Sequence, residues 1–397
     1  MSDSVVVDAG GMDGVLVAPN LVSGDGHLEV TVEPWMKFVP QKYRDQAPRL
    51  VHLPDGGEGW VVEGMPMFHN GMNLSAGRKT VKLKGESYWE PDGSPAPGSG
   101  SAEQRISEQD IDGVGAEVLY PPVFIRRCIE GISDRRVYLS LVRAYNEFLA
   151  EFCATSPERL IGNATIPVTG IEDAVAELRH AKDLGLRSVS PAMFPSGENG
   201  PVKGDDVFWE TALELGMSVS PHGSLGSVGA LNLMRSATAS FDFNEALSQR
   251  ASKGLATTLA HIINSGVFER IPELQIYIAE TNASWLPYAL YMMDDSYRLF
   301  EDYFGQSLKM LPSEYVWSHF HFGIVRDPLV VSMLDLLDPT RLIWGSDFPH
   351  CVGSWPNSRA FVNQTFKDVD PGVRDRIVRD NAVEFFGLGP SANVRER

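Results

Sequence analysis

The sequence predicts an α/β protein folded as a single (β/α)8 TIM barrel, with a lid-like insertion after the first strand. Short apolar runs alternate with segments of helical periodicity over nearly the whole chain, which is typical of parallel strands joined by helices. Eight such runs are present, and eight is the number of strands in a closed barrel. The chain has 397 residues. Because elaborated barrels reach that length as one unit, we predict one domain over residues 1–397.

The strand candidates are short, apolar and bounded by polar or turn-forming residues. They are Leu21–Gly24, Glu117–Pro121, Ile161–Ile166, Arg187–Ser190, Met217–Pro221, Gln275–Ala279, His319–Phe322 and Leu342–Gly345. Between them, Val137–Ala154 and Ile171–Leu184 place apolar residues three and four positions apart, as a helix with one buried face requires. This alternation predicts strands whose carboxyl ends all meet at one end of the barrel.

Residues 35–109 interrupt the alternation. They contain the hairpin-like sequence GWVVEGMPMF, the basic sequence GRKTVKLKG and the flexible run PDGSPAPGSGS. The segment is too long for an ordinary connection and too apolar for a disordered one, which favours a lid-like insertion. The alternative is a surface excursion without a role in function.

Acidic residues outnumber basic ones. The chain has 52 Asp and Glu against 34 Lys and Arg, a formal net charge of -18. This charge repels phosphate backbones and anionic membranes, so we expect neither nucleic acid nor a membrane as a partner. Three scattered cysteines, Cys128, Cys153 and Cys351, form no disulfide framework and no thiolate zinc motif. Without a secretory signal or an apolar run of about 18 residues, we expect a cytoplasmic protein that acts on a small molecule.

Several strand candidates end in residues that bind metals. Asp25 and His27 follow the first strand, His222 the fifth, Glu280 the sixth and Asp347 the eighth. Residues two apart on a strand point the same way, so Asp25 and His27 can both face the barrel mouth. Imidazole nitrogen and carboxylate oxygen suit Zn, Mn or Fe. The alternatives are a chance Asp-x-His pair, a loop histidine at 222 and a helix-capping aspartate at 347.

Two long segments carry a family resemblance. SGVFERIPELQIYIAETNASWLPYALYMMDD (Ser265–Asp295) and RLIWGSDFPH (Arg341–His350) resemble blocks of the amidohydrolase-related family that includes aminocarboxymuconate-semialdehyde decarboxylase. The resemblance covers about Leu21 to Leu388. It implies a homodimer and a metal site in which the first strand supplies His-x-His or Glu-x-His, the fifth a His and the eighth an Asp. The matching residues are Asp25, His27, His222 and Asp347.

The sequence departs from the decarboxylase pattern at two positions. Asp25 replaces the first His or Glu, and Glu280 stands where the decarboxylase has a catalytic His. His261 lies on a predicted helix in line with Thr257 and Ser265, and it faces either the barrel mouth or solvent. If His261 faces the mouth, the site offers three His and three carboxylates, a set that di-iron oxygenases employ. The two substitutions resemble a non-heme di-iron monooxygenase branch of this superfamily that acts in bacterial diterpenoid biosynthesis.

The first functional hypothesis is therefore a di-iron monooxygenase that hydroxylates a bulky apolar carboxylic acid or its thioester. It would use O2 and an unidentified electron donor. The six ligands of the two Fe ions would be Asp25, His27, His222, His261, Glu280 and Asp347. A basic cluster in the insertion would attract an anionic part of the substrate, although ordinary solvation also explains such a cluster. The cluster comprises Arg78, Lys79, Lys82 and Lys84.

Two alternative functions remain open. One is a mononuclear Zn or Mn hydrolase or non-oxidative decarboxylase, in which Asp347 shuttles protons and Glu280 acts as acid or base. The other is a barrel that has lost catalysis and only binds a ligand. Metal content separates the first two hypotheses, because two irons per chain favour the oxygenase and one zinc or manganese favours the alternative.

Overall fold

The computed structural model describes residues 20–389, apart from 55, 70, 81–84, 123–128, 193, 199, 224, 226–253 and 306. Eight parallel strands form a barrel in the order β1-β5-β6-β7-β8-β9-β10-β11, and three antiparallel strands form a separate small sheet in the order β2-β3-β4. The strands are β1 (Leu21–His27), β2 (Arg49–His52), β3 (Glu58–Val62), β4 (Met65–His69), β5 (Val114–Tyr120), β6 (Leu160–Ile166), β7 (Ser188–Pro191), β8 (Ser218–Val219), β9 (Ile276–Ile278), β10 (Phe320–Ile324) and β11 (Leu342–Trp344).

The barrel closes between its first and last strands. Gly26 of β1 forms a parallel bridge with Phe348, just beyond β11. The amide of Asp347 donates to the Asp25 carbonyl at 2.8 Å, and the amide of His27 donates to the Phe348 carbonyl at 2.7 Å. The predicted (β/α)8 barrel is confirmed, with each of the eight barrel strands overlapping its predicted segment.

Helices cover the outside of the barrel. Within the described residues they are α1 (Ala102–Asp112), α2 (Arg135–Cys153), α3 (Ile171–Asp183), α4 (Asp206–Glu214), α5 (Leu255–Asn264), α6 (Val267–Arg270), α7 (Leu286–Phe304), α8 (Pro312–His319), α9 (Ser358–Thr365), α10 (Pro371–Asp375) and α11 (Asn381–Phe385). Among these residues, no helix combines the length and apolar character that crossing a membrane requires. The two helices expected from periodicity correspond to α2 and α3, whose regular apolar stripes pack against the strands.

The helix α11 packs against the amino-terminal end of the barrel. The ring centroid of Phe386, which follows it, lies 5.7 Å from that of Tyr277 inside the barrel. Asn381 donates from Nδ2 to the carbonyl of Leu342, at the start of β11. Because this end carries packed aromatic rings, the polar side chains at the opposite, carboxyl end of the strands are the ones available for chemistry.

The insertion contains the predicted hairpin and one helix that the sequence did not reveal. β3 and β4 pair in antiparallel fashion around Glu63 and Gly64, both in the left-handed conformation that a two-residue hairpin turn needs. However, α1 begins at Ala102, inside the range 35–109 that we assigned to the insertion. The periodicity concealed this helix because its buried face is largely polar, with Arg105 and Glu108 among its buried residues.

Candidate metal centre

The first strand presents two side chains to the barrel mouth. Asp25 and His27 are both buried and lie inside β1, which extends three residues beyond the predicted end at Gly24. Two glycines of β1, Gly24 and Gly26, lie where neighbouring side chains approach the backbone closely. A Cβ on Gly26 would lie 2.1 Å from Glu117 Oε1, and one on Gly24 would lie 2.5 Å from a methyl carbon of Ile343.

His222 and Glu280 are brought together by the pairing of the chain beyond β8 and β9. His222 forms a parallel bridge with Ala279, and the amide of Gly223 donates to the Ala279 carbonyl at 3.0 Å. Glu280 follows directly with φ of 51°, in the left-handed region that is uncommon for a side-chain-bearing residue. Glu280 Oε2 consequently lies 3.5 Å from His222 Nε2.

Asp347 lies just after β11 and has φ of 52°. Its amide is held by the Asp25 carbonyl, so the two carboxylates come from adjacent strand ends. The left-handed backbone conformation at Glu280 and Asp347 has a local cost in conformational free energy. It persists because the surrounding hydrogen bonds hold the backbone in place. Such strain at both of these strand ends is typical of functional sites.

Four side chains converge on one point. One ligand atom from each of Asp25, His27, His222 and Asp347 lies within 4.8 Å of all the others. The Nε2 atoms of His27 and His222 are 3.1 Å apart. His27 Nε2 lies 3.3 Å from Asp347 Oδ1, and His222 Nε2 lies 3.4 Å from Asp25 Oδ1. His27 Nδ1 lies 3.5 Å from the carbonyl oxygen of Pro121, so Nε2 is the nitrogen that points into the cluster.

Burial and neighbouring charges shift the pKa values of the side chains in the cluster. Burial raises the pKa of Asp25 to about 6, against the lowering effect of His222. Burial and the charge of His350 together depress the pKa of His27 well below its usual value. Burial would also raise the pKa of Asp347, but the charge of His350 and the close approach of the His27 and His350 rings hold that pKa below its usual range.

This donor set fits a divalent cation. Within the described part of the chain, none of the four carboxylate oxygens of Asp25 and Asp347 accepts a well-aligned hydrogen bond, although all four are buried. Burying two neighbouring carboxylates lowers the stability of the folded protein unless a cation neutralises their charge. The two imidazole nitrogens aimed at the same point complete a mixed nitrogen and oxygen set that suits zinc or manganese.

A further histidine, His350, supports Asp347. His350 Nδ1 lies 3.0 Å from Asp347 Oδ1, and His350 Nε2 lies 3.2 Å from Oε1 of the buried Glu29. Asn73 donates to the same Glu29 oxygen at 3.1 Å. Asp347 and Glu29 raise the pKa of His350 well above its usual value despite burial, which alone would lower it. The sequence did contain a signal, since Glu29 continues the two-residue alternation of Asp25 and His27.

A buried ion pair lies beneath the cluster. Arg105 of α1 donates from Nε to Glu117 Oε2 at 2.9 Å and from Nη2 to the Phe348 carbonyl at 3.2 Å. Ser346 donates to the other oxygen of Glu117 at 2.9 Å. This network holds the residues on either side of Asp347, so α1 contributes to the position of that carboxylate.

The other candidate residues lie apart from the cluster. His261 is exposed on α5, whose opposite face is buried through residues such as Leu259 and Ile262. Of the two orientations left open for His261, the structure has the one toward solvent, because the helix turns its apolar face inward, and the assignment of His261 as a metal ligand is corrected. Arg78 lies 3.4 Å from Glu86 Oε2 and 3.1 Å from Glu90 Oε1, so its charge is already balanced. Of the rest of the basic cluster, Lys79 is exposed, and residues 82 and 84 lie outside the described residues.

The barrel and its cluster define a class of protein, the metal-dependent barrel enzymes with ligands at their strand ends. Comparison with known proteins identifies the family, because residues 123–388 match the protein-family model described as Amidohydrolase. The chain belongs to the amidohydrolase family. The resemblance inferred from Ser265–Asp295 and Arg341–His350 is thus confirmed at the level of the superfamily.

Individual relatives are distant but cover much of the chain. A 2-amino-3-carboxymuconate-6-semialdehyde decarboxylase from Dictyostelium discoideum is 23% identical over 255 residues, covering 64% of this chain and 68% of its own. An amidohydrolase structure from Mycobacterium avium subsp. paratuberculosis has a TM-score of 0.71 and 16% identity, covering 94% of this chain and 100% of its own. A dihydroxybenzoic acid decarboxylase from a Polaromonas species, solved with bound manganese and 2-nitroresorcinol, has a TM-score of 0.61 and 17% identity, covering 95% and 100%.

The hypothesis of a di-iron monooxygenase is wrong. The relatives found by sequence similarity are decarboxylases, which favours the mononuclear alternative over an O2-dependent enzyme with an electron donor. The structure supplies the physical reason, because His261 is exposed and cannot complete a six-residue set. The carboxylates at positions 25 and 280 suggested iron from the sequence, but Asp25 lies in the four-residue cluster, and Glu280 contacts that cluster through His222.

Proposed function

We propose that this chain is a metal-dependent decarboxylase that removes CO2 from a carboxylate attached to an aromatic or otherwise unsaturated carbon. The observation that carries the proposal is the buried cluster of Asp25, His27, His222 and Asp347, whose carboxylates lack well-aligned hydrogen-bond donors within the described residues. The substrate class is supported by the relatives, which act on aminocarboxymuconate semialdehyde and dihydroxybenzoic acid. In both compounds the carboxylate is attached to an unsaturated carbon.

We assign the metal ligands to Asp25, His27, His222 and Asp347, and the metal to one manganese or zinc ion. The manganese in the related dihydroxybenzoic acid decarboxylase supports manganese. The mixed donor set is equally suited to zinc. When bound, such an ion supplies the positive charge that neutralises the buried carboxylates and holds an anionic oxygen of the substrate.

The accessible side of the cluster indicates where the substrate approaches. The side chains of Asp25 and Asp347 are 0% exposed, whereas those of His222 and Glu280 are 16% and 22% exposed. A substrate entering from outside therefore meets His222 and Glu280 first. Of the three carboxylates at these strand ends, Glu280 is the one positioned to touch the substrate and exchange a proton with it.

Glu280 would act as the general acid of the reaction. In its protonated form, the Glu280 carboxyl gives a proton to the ring or alkene carbon that bears the substrate carboxylate, and an electron pair of the unsaturated system forms the new C–H bond. The bond between that carbon and the carboxylate then breaks, its electron pair returns to the unsaturated system, and CO2 leaves. Overall, one proton replaces one CO2, and no oxidant or reductant is consumed.

The buried side of the site, away from Glu280, is formed by Asp347, His350 and Glu29. His350 stands between the two carboxylates, with one ring nitrogen toward each. This arrangement fixes the orientation of Asp347, as residues behind metal ligands commonly do. The Arg105–Glu117 pair holds the backbone next to Asp347, because Arg105 also donates to the Phe348 carbonyl.

The proposal is tested by measuring CO2 release from dihydroxybenzoic acids and aminocarboxymuconate semialdehyde under anaerobic conditions in deuterated water. We expect the manganese-loaded protein to release one CO2 and introduce one deuterium per turnover, without O2. Glu280→Gln should retain metal and lose turnover, whereas Glu273→Gln, at an exposed position away from the site, should match the wild type. If these acids yield no CO2, or if turnover requires O2, the proposal fails.

A further inference from the structure

The chain leaves the barrel after β9 in a tight turn that begins with Glu280. Two residues of this turn, Glu280 and Asn282, have positive φ angles of 51° and 52°. Asparagine adopts this left-handed conformation more readily than other residues with a side chain, whereas glutamate is not among the residues that favour it. Contacts made by the rest of the turn must therefore hold the backbone at Glu280.

The carboxyl end of β10 lies directly against this turn. The Gly323 carbonyl accepts hydrogen bonds from the amides of Thr281 at 3.1 Å and Asn282 at 2.8 Å. A Cβ on Gly323 would lie 2.8 Å from the Glu280 amide nitrogen and 2.9 Å from the Ala279 Cα, which is closer than Cβ atoms approach a backbone. The absence of a side chain at position 323 therefore lets β10 reach the backbone that carries Glu280.

The side chain of Asn282 makes a third bond to the same strand end. Its Oδ1 accepts a hydrogen bond from the Val325 amide at 3.2 Å. Val325 follows Ile324, the last residue of β10 that pairs with β11. Of these three bonds to the end of β10, this one alone is made by a side chain. It therefore depends on the type of residue at position 282.

The other end of the turn is fixed where the chain enters α7. Trp285 donates from Nε1 to the carbonyls of Thr281 and Asn282, both at 3.2 Å. The carboxylate of Asp327, two residues beyond Val325, accepts a hydrogen bond from the Ala283 amide at 2.8 Å. The turn is thus anchored on both sides of Asn282, and this residue connects the anchored segment to Glu280.

The conformation of the turn determines where the Glu280 carboxylate lies. Its Oε2 is 3.5 Å from His222 Nε2, and its side chain is 22% exposed, so the carboxylate borders the metal cluster and remains accessible to a substrate. Rotation of the Glu280 backbone out of the left-handed region would move the carboxylate away from this position. Proton transfer is sensitive to such a movement, because acid and substrate must lie within hydrogen-bond reach of each other.

We propose that Asn282 is a positioning residue for Glu280. Its Oδ1 ties the turn to the Val325 amide, and its tolerance of positive φ lets the amides of the turn reach the Gly323 carbonyl. This inference rests on the proposed role of Glu280 as the general acid. The position of the Glu280 carboxylate can be measured without turnover, so the two proposals can fail separately.

Three substitutions separate the side-chain hydrogen bond from the backbone preference. Asn282→Ala removes both, Asn282→Gly removes only the hydrogen-bond acceptor, and Asn282→Asp keeps both. In the manganese-loaded protein, kcat for CO2 release should fall by about 10–100-fold in Asn282→Ala and Asn282→Gly, the size of effect that a small misplacement of a reacting group has. Asn282→Asp should restore kcat to near the wild-type value, and KM should change little in all three variants.

Asn264→Ala is the matched control, because Asn264 is exposed at the end of α5, and its kcat should equal that of wild type. Given an active wild type, an undiminished kcat in Asn282→Gly overturns the positioning role. A loss in Asn282→Asp as large as that in Asn282→Ala also overturns it. Far-ultraviolet circular dichroism and elemental analysis check that every variant retains its fold and its manganese.

Crystal structures of the same manganese-loaded variants supply the measurement that needs no turnover. The Glu280 carboxylate should remain beside His222 in wild type and Asn282→Asp, and should leave that position in Asn282→Ala and Asn282→Gly. If it stays in place in the last two variants, the positioning role is overturned. If it moves as expected while wild type releases no CO2, the positioning role stands and the proposed decarboxylase activity fails.

Discussion

The ring of His350 is stacked on the ring of His27, with 3.9 Å between their centroids and 25° between their planes. One of these imidazoles belongs to the ligand cluster, and the other connects Asp347 to the buried Glu29. The stacking brings both sets of contacts into one rigid unit. The position of His27 therefore depends on a residue that does not itself belong to the four-residue cluster.

His350→Gln is expected to lower kcat/KM by about 10–100-fold while leaving the protein folded, as is usual when the residue behind a metal ligand is lost. Its metal content at saturating manganese should remain near that of wild type. His319→Gln serves as a control, because His319 is also buried but bonds to the Leu274 carbonyl and packs on Phe268. Equal turnover of His350→Gln and wild type would show that His350 does not position Asp347.

Gly26→Ala is expected to destabilise the protein by about 1–3 kcal/mol, the usual cost of overpacking. The added Cβ would lie 2.1 Å from Glu117 Oε1, and Arg105 and Ser346 prevent that carboxylate from moving aside. Gly204→Ala is the control, since a Cβ there meets nothing closer than 3.8 Å and should change stability by less than about 0.5 kcal/mol. Urea unfolding of both variants measures the difference. Equal stabilities would mean that the strand at Gly26 adapts to the added methyl group without loss of stability.

The fold and most of the cluster were predictable because they depend on patterns within short segments. Apolar runs of four to six residues marked all eight barrel strands. Polar residues at strand ends located Asp25, His27, His222 and Asp347, since a parallel barrel brings those ends together. The end of β1 was placed three residues early, because glycine is as common in turns as it is at close backbone approaches.

Contacts between distant segments were not predictable. Spacing alone left the orientation of His261 open, and the burial of Leu259 and Ile262 on α5 decides it. The buried polar face of α1 carries no periodic apolar signal, and Arg105 reaches a partner 12 residues along the chain and another 243 residues away. His350 acquires its role from Glu29, which is 321 residues away in sequence.

His222→Ala is expected to abolish metal binding, whereas His261→Ala should bind about as much metal as wild type. Both changes remove an imidazole, but only His222 lies in the cluster and His261 is exposed. Elemental analysis after loading with manganese should show about one ion per chain in wild type and His261→Ala. Manganese at 100 times its Kd should also stabilise these two proteins by about 2.7 kcal/mol and leave His222→Ala unchanged. Two ions per chain that depend on His261 would contradict the mononuclear site.

The last prediction concerns acid stability and His321. Burial, with a contribution from the nearby charge of Arg341, lowers the pKa of His321 from 6.5 to about 3. Its Nδ1 atom is buried without a hydrogen-bond partner in the described residues, and its ring lies 4.9 Å from that of Phe385. Between pH 6.5 and 3 the unfolded chain binds a proton at this histidine that the folded chain does not. The free energy of unfolding therefore decreases as the pH falls, by at most about 1.4 kcal/mol per pH unit from this residue.

His321→Asn should lose this contribution to the slope of unfolding free energy against pH. His52→Asn, at a side chain that is 87% exposed, should retain it. Urea unfolding between pH 7 and 5, with chelator present so that metal binding does not contribute, measures both slopes. Identical slopes for wild type and His321→Asn would show that His321 is protonated in the folded protein as readily as in the unfolded chain.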